Sequence, residues 1–290
     1  MTQGLTFKVK LFNLFRQTFK IKWIEQYLAK LTAGKNPNHF FSKLVPNHYQ
    51  YQHGSFRNIF RDGIRMNVDI SDYVGHYYYF GFKDKSIERL FSLCHENFSV
   101  IDVGTNWGWT LLKFSSLAKN GTVLGFEPDP VNFNHCKKNV MLNQANNIHL
   151  FPVGLGDLNT TLKIEVRTVT NRGGNRIAVN PNQNGADVEI IRLDDFTPAT
   201  KLSHINLIKI DVEGYEHHVL KGAKEILRQH MPVLFIELDN NNLRDQGSSA
   251  VSLIQFLIDI GYRHIVNAET EESITLQTNF DNCHLDIIAK

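Results

Sequence analysis

"VIDVGTNWGWT", Val100 to Thr110, decides how the chain reads. A short apolar run ends at two glycines four residues apart, Gly104 and Gly108, and leads into the helix-like "WTLLKFSSLAK". Glycine permits a sharp turn and lets a ligand lie against the main chain, and the first turn of a helix presents unpaired amides. Strand, glycine bend and helix in that order predict an open α/β sheet with its ligand beyond the C-terminal ends of the strands. Neither phosphate signature is met. In G-x-G-x-x-G the second glycine would stand where Asn106 stands, and G-x-x-x-x-G-K-[ST] is absent.

Outward from the bend, strand-like and helix-like segments alternate: "TVLGFE", "PVNFNHCKKNVMLN", "IHLFPVGLG", then "INLIKIDVEG", "EHHVLKGAKEILRQH", "PVLFIELD" and "SSAVSLIQFLIDIG", with strands near "YRHIVNA" and "HLDIIAK". Such alternation predicts a mostly parallel sheet with helices on both faces. Upstream, "KSIERLFSLC" reads as a helix, and Asp62-Gly63 between two half-apolar runs of "FRNIFRDGIRMNVDIS" signals a hairpin. The expected division is an extension over residues 1–54 and one domain over 55–290.

In the extension Phe7, Leu11, Phe15, Phe19, Trp23 and Tyr27 recur every fourth residue with lysines and an arginine between them, a basic amphipathic helix. That stripe reads either as a peripheral membrane contact or as an arm packed on the domain or on a second subunit. Asn36 to Gln50, with two prolines, reads as a linker. A formal charge of +2 gives no bulk support to a nucleic-acid partner. Cys94, Cys136 and Cys283 form no CxxC pair, which argues against a disulfide framework or zinc site. With no membrane-spanning run and no secretory signal pattern, a cytoplasmic location is expected.

The ends of the strands carry the chemistry. Glu127 closes the second strand about twenty residues after the glycine turn, where a carboxylate can accept both hydroxyls of a ribose. A nucleoside without a pyrophosphate suits this set, and S-adenosylmethionine is one: the bend and Asn106 would serve its amino-acid tail, and Asp157 in "VGLGD" the adenine edge. The succession "FRDGIRMNV", "YYYFG", "VIDVGTNWGWT", "GFEPDPVNF", "VGLGD", "RLDDF", "IKIDVEGYEHHVLKGA" and "PVLFIEL" resembles the FkbM-type methyltransferases, a branch of the class I S-adenosylmethionine-dependent enzymes. The resemblance runs from about Ser55 to the C-terminus; Thr105 stands where alanine is usual, and Trp109 where a smaller or tyrosine-like aromatic often sits.

The resemblance implies a Rossmann-like class I fold with a seven-stranded, mostly parallel sheet, and transfer of a methyl group to a hydroxyl of a carbohydrate, glycolipid or natural product. It implies cofactor contacts at Asp102, Gly104, Thr105, Asn106, Trp107, Gly108, Glu127, Pro128, Gly156, Asp157 and Asp211. Methyl transfer needs collinear positioning and a base for the hydroxyl proton. Asp211 and Glu213 of "KIDVEGYE" share a face at a strand end and are the candidate catalytic pair, with Asp211 nearest the methyl group.

Each residue has a plainer role as well. Glu213 can cap the following helix, Lys209 is expected to pair with Asp102, Trp107 and Trp109 can pack in the core, and Asp129 before Pro130 reads as an N-cap. On the acceptor side, Glu237 ends "PVLFIEL", Tyr79 belongs to "YVGHYYYFG", and the excursion "RTVTNRGGNRIAVNPNQNGADVEI" brings Arg172, Asn175 and Arg176, which otherwise are a loop's solvated residues. The histidines lack metal-ligand spacing, so no metal is assigned to them, while a divalent ion held by Asp211 with Asp239 or Asn240 stays open. Two other classes stay open: a nucleic-acid methyltransferase, supported only by the basic arm, and an S-adenosylmethionine-binding protein without chemistry.

Overall fold

The computed structural model describes residues 7–168, 170–180 and 184–290. Contacts gather the chain into two compact units, Met1–Asp84 with Thr168–Gly173, and Lys85–Arg167 with Gly174–Lys290. The expected division at residue 54 therefore falls inside the first unit. The hairpin belongs with the helices before it, because Arg57 on its first strand grips Glu25: Nε donates to Oε1 at 2.6 Å and Nη2 to Oε2 at 3.2 Å, and Glu25 is fully buried.

The first unit holds α1 (Phe7–Arg16), α2 (Lys22–Thr32), α3 (Phe40–Leu44), the hairpin β1 (Phe56–Arg61) and β2 (Ile64–Asp69), and α4 (Tyr73–Phe80). Asp62 and Gly63 both have positive φ, 51° and 79°, as the expected two-residue turn requires. The single long helix expected over Phe7 to Tyr27 is broken. Gln17–Lys20 tighten into a 3-10 turn, where Thr18 Oγ1 bonds back to the Phe15 carbonyl, and Ile21 is extended. The restart turns Glu25 inward to Arg57. The expected linker is also structured: Asn36 and His39 bond neighbouring amides around α3, and Asn47 with Gln50 forms a capping box on the 3-10 turn His48–Gln50. Its polar residues serve as caps.

The second unit is built on a seven-stranded sheet. In chain order its elements are α5 (Lys85–Ser92), β3 (Val100–Val103), α6 (Trp109–Leu117), β4 (Val123–Phe126), α7 (Pro130–Asn143), β5 (Ile148–Phe151), β6 (Gly154–Leu155), β7 (Thr160–Glu165), β8 (Arg176–Ile177), β9 (Ala186–Ile191), α8 (Thr197–Thr200), β10 (Leu207–Ile210), α9 (Glu216–Gly222), α10 (Lys224–His230), β11 (Val233–Asp239), α11 (Asn240–Asp245), α12 (Ala250–Ile260), β12 (Ile265–Asn267) and β13 (His284–Ala289). The main sheet runs β12-β13-β11-β10-β3-β4-β5 and is parallel from β11 to β5; β13 is antiparallel to both its neighbours. Strands β3, β4 and β10 are buried at every residue, which is why they read as mainly apolar rather than alternating, interrupted only by Asp102 and Lys209.

Two expected segments divide. "IHLFPVGLG" leaves the main sheet after Phe151, since Pro152 has no amide to continue the ladder, and β6 joins a separate sheet, β6-β9-β7-β8. Asp157 thus follows a strand of this second sheet and lies at no strand end of the main one. The helix read over Glu216 to His230 breaks at Ala223, because the Asp194 carboxylate of "RLDDF" accepts the amides of Glu225 and Ile226 at 3.1 and 3.0 Å and caps α10 anew.

Asp72 caps α4 through the amides of Val74 and Gly75 and also accepts the Arg172 amide at 2.8 Å, holding Thr168–Gly173 to the first unit. Asp72→Ala is expected to cost about 1–2 kcal/mol of stability, the upper part of the range for a lost cap, and to open Arg172 to limited trypsin digestion in a time course where the wild type resists.

Candidate active site

The chain runs from β3 outward to β4 and β5, then returns to place β10 on the other flank of β3. The order reverses between β3 and β10, and a crevice at such a switch point is where open α/β sheets bind ligands. The bend Gly104–Gly108 leaves β3 there, and Asp211–Gly214 leaves β10. These two turns touch. Gly104 has φ +79°, and a Cβ on it would stand 2.0 Å from the Asp211 carbonyl oxygen, so only glycine fits.

Lys209 ties them together. It pairs in register with Asp102 across the two strands and is 2% exposed. Its Nζ donates to the Gly104 carbonyl at 2.9 Å and lies 3.2 Å from Asp211 Oδ2 and 3.5 Å from Asp102 Oδ1. The other oxygen of Asp102 accepts from Thr110 Oγ1 at 2.6 Å, fixing the first turn of α6. Burial raises the Asp102 pKa, and the Lys209 ammonium opposes that rise.

Within the bend, Asn106 sits at φ 50° and donates its amide to Glu127 Oε2 at 2.7 Å, while Glu127 Oε1 accepts the Asp129 amide at 2.9 Å. Burial pushes Glu127 up to about 7. The Asn106 side-chain oxygen is buried and has no donor. Thr105 and Trp107 turn inward: the Thr105 hydroxyl lies 3.7 Å from Cys136 Sγ, and Trp107 stacks on His135 with ring centroids 4.4 Å apart. Gly108 packs on Cys136 and opens α6 before Trp109. Pro128 lies against Gly154, and a Cβ on Gly156 would collide with Ile190 and Tyr215. Asp157 is engaged by His218 Nδ1 at 3.0 Å, and Tyr215 stacks on His218, a pair the sequence did not single out. Asp129 caps α7 as expected.

Beyond Asp211 the carboxylates gather. Oxygens of Asp211, Glu213 and Glu237 lie within 4.8 Å of one another, bringing together three residues assigned separately to catalysis and to the acceptor. Glu213 has φ 57°, a left-handed conformation that costs a non-glycine residue about 1–3 kcal/mol, and its Oε2 accepts from Asn242 Nδ2 at 3.0 Å. Burial first, and the Asp211 charge second, push Glu213 up to about 7. Glu237 is raised well above the usual carboxylate range by burial and by its acidic neighbours, and its Oε2 has no hydrogen-bond partner. Glu213 does not cap the following helix, which has Tyr215 at its N-cap and no side-chain cap; Glu216 Oε1 instead accepts the amides of Val212 and Gly214 in the turn before it. Carboxylates so close cannot all stay ionised unaided. They can retain protons or receive a cation, and they form the one metal-competent cluster among the described residues.

The acceptor-side residues already have partners. Arg176 bridges Glu165 and Asp245, Asn175 donates to Asp129 Oδ2 at 2.7 Å, the Arg172 amide is held by Asp72, and Tyr79 is buried beside Glu25 and Arg57 in the first unit.

The family model described as "Methyltransferase FkbM domain" matches residues 100–264. The chain is similar to "Methyltransferase 1" of Beauveria bassiana (strain ARSEF 2860), 28% identical over 43% of this chain and 58% of that one. It is similar to "2-O-methyltransferase NoeI" of Sinorhizobium fredii (strain NBRC 101917 / NGR234), 28% identical over 44% of this chain and 58% of the other. It thus spans less than two thirds of the length of these relatives. Among solved structures, the FkbM methyltransferase of Methylobacillus flagellatus KT matches with 18% identity and a TM-score of 0.45, covering 75% of this chain and 52% of that one.

Replacing Lys209 by methionine leaves Asp102 buried without its cation, so Lys209→Met is expected to lose about 3–5 kcal/mol in denaturant unfolding, the usual cost of breaking a buried ion pair from one side.

Proposed function

The chain belongs to the FkbM methyltransferase family, and from that premise we propose that it is an S-adenosylmethionine-dependent O-methyltransferase acting on a hydroxyl of a carbohydrate, glycolipid or natural product. The observation that carries this reading is the meeting of the Gly104 bend with the carboxylates of Asp211, Glu213 and Glu237 at the sheet's switch point. The residues present fit the cofactor. The unpartnered Asn106 oxygen is an acceptor for an ammonium group, and Glu127 keeps lone pairs for ribose hydroxyls beyond those that take its two amides. When bound, S-adenosylmethionine supplies a methyl group on a sulfonium sulfur.

The chain's own part is positioning and proton transfer. Gly104, Asn106 and Glu127 fix the cofactor pocket, and Asp102 acts beneath them by holding Lys209 and Thr110. Asp211, aimed by Lys209, is the carboxylate that would face the methyl group once the cofactor is bound. With Glu213 it takes the hydroxyl proton, a role for which a carboxyl near 7 is well matched. Glu237 borders the place where the acceptor hydroxyl must lie. The hydroxyl acceptor is supported by the relative named a 2-O-methyltransferase and by the absence from the sequence of an Asp/Asn-Pro-Pro-Tyr/Phe motif for exocyclic amines and of a Pro-Cys nucleophile for pyrimidine carbon.

Calorimetry is expected to show binding of S-adenosylmethionine and of its demethylated product, and none of NADH; the opposite pattern defeats the proposal. With an acceptor found by tracing methyl label into fractionated glycans, lipids and metabolites, Asp211→Asn should retain cofactor binding and lose about a hundredfold or more in kcat, in the range of a general base. Because the Glu213 pKa is raised, the base fills with protons as pH falls through about 7. Turnover should decline on that acidic side, and Glu213→Gln should remove the limb; a wild-type profile flat from pH 5.5 to 8 rules Glu213 out, a window of about one unit or more on each side of that value.

A further inference from the structure

We propose that α1 and the 3-10 turn after it dock on an anionic lipid surface. Helix α1 is built with its polar side inward. Among its described side chains the one buried is Asn13, whose Nδ2 donates to the Tyr49 hydroxyl at 3.1 Å and whose backbone carbonyl accepts from Gln50 Nε2 at 2.9 Å. Arg16 anchors the same side by donating from Nε to the Lys43 carbonyl at 2.8 Å. These bonds fix the rotation of the helix, and its apolar side chains therefore face outward: Phe7 is 80% exposed, Leu11 60%, Leu14 68% and Phe15 51%. A helix on a water-exposed surface normally shows the reverse. Helix α2 follows the normal rule, with Leu28, Ala29 and Thr32 buried, yet it adds Trp23 at 71% exposure and Tyr27 at 61%.

Charge selects the occupant. Between Phe7 and Leu44 the sequence has eight lysines and arginines and one acid, Glu25, which is buried against Arg57. A second copy of this face would bring like charges together. An anionic bilayer satisfies both features, since its acyl boundary accepts the phenylalanines and leucines, its headgroups attract the lysines, and tryptophan and tyrosine favour the depth between. No helix among the described residues is long and apolar enough to cross a membrane, so the contact lies on the surface.

The test is co-sedimentation of the full chain with phosphatidylcholine vesicles, with and without phosphatidylglycerol. Binding is expected to the anionic vesicles only and to weaken in high salt. Leu14→Ser combined with Phe15→Ser should lower the partition coefficient about tenfold, and Lys22→Glu should lower it comparably. Both variants should unfold at the wild-type temperature, since the side chains changed are exposed. Failure of the wild type to sediment with anionic vesicles, equal binding to neutral ones, or undiminished binding by the folded serine variant overturns the proposal. So does a wild-type dimer that the serine variant dissociates, because the face then belongs to a second copy.

Discussion

One buried ammonium organises the second unit. Lys209 is enclosed by Asp102, Asp211 and the Gly104 carbonyl, and each contact reaches a different element: strand β3, the end of β10 and the bend before α6. An ion so deeply buried is stable only where its partners are held in place. The parallel register of β3 and β10 provides that by setting Lys209 directly opposite Asp102. The same pairing brings the two turns into contact, and there a side chain at position 104 would strike the Asp211 carbonyl. Sheet register, glycine and ion pair are thus one constraint expressed three times.

Past that point the charge balance shifts to the acids. Lys209 lies against Asp102 and Asp211, whereas Glu213 and Glu237 lie beside Asp211, and burial first and their acidic neighbours second raise their pKa values. Glu213 is also held in a left-handed conformation, which persists only because its surroundings determine it: Glu216 grips the amides of Val212 and Gly214, and Asn242 grips the Glu213 carboxylate. Strain and desolvation thus coincide at this one turn.

The core was legible in the sequence because its signals are local. Buried parallel strands such as "VIDV" and "LIKI" read as apolar runs broken by a single charge each, and the Asp62-Gly63 hairpin and the Asp129 cap follow from turn and cap chemistry. The Lys209–Asp102 pair needed only strand period and adjacency. What was hidden depends on partners distant in the chain. Nothing near Glu25 announces that Arg57 will draw it inward and interrupt the N-terminal helix. Nothing near Ala223 shows that Asp194 will restart the helix there. The convergence of Glu237 on Asp211 and Glu213 likewise requires the order of the strands, which periodicity does not contain.

Cys136 has a chemical consequence for the bend above it. Its sulfur is sealed beneath Gly108 and the Thr105 hydroxyl, fully buried, and burial drives the thiol up to about 12. Only thiolates react readily with peroxide, disulfides or alkylating reagents. The sulfur packed against this bend is therefore kept in its inert form, and oxidative damage reaching this protein should fall on other side chains first.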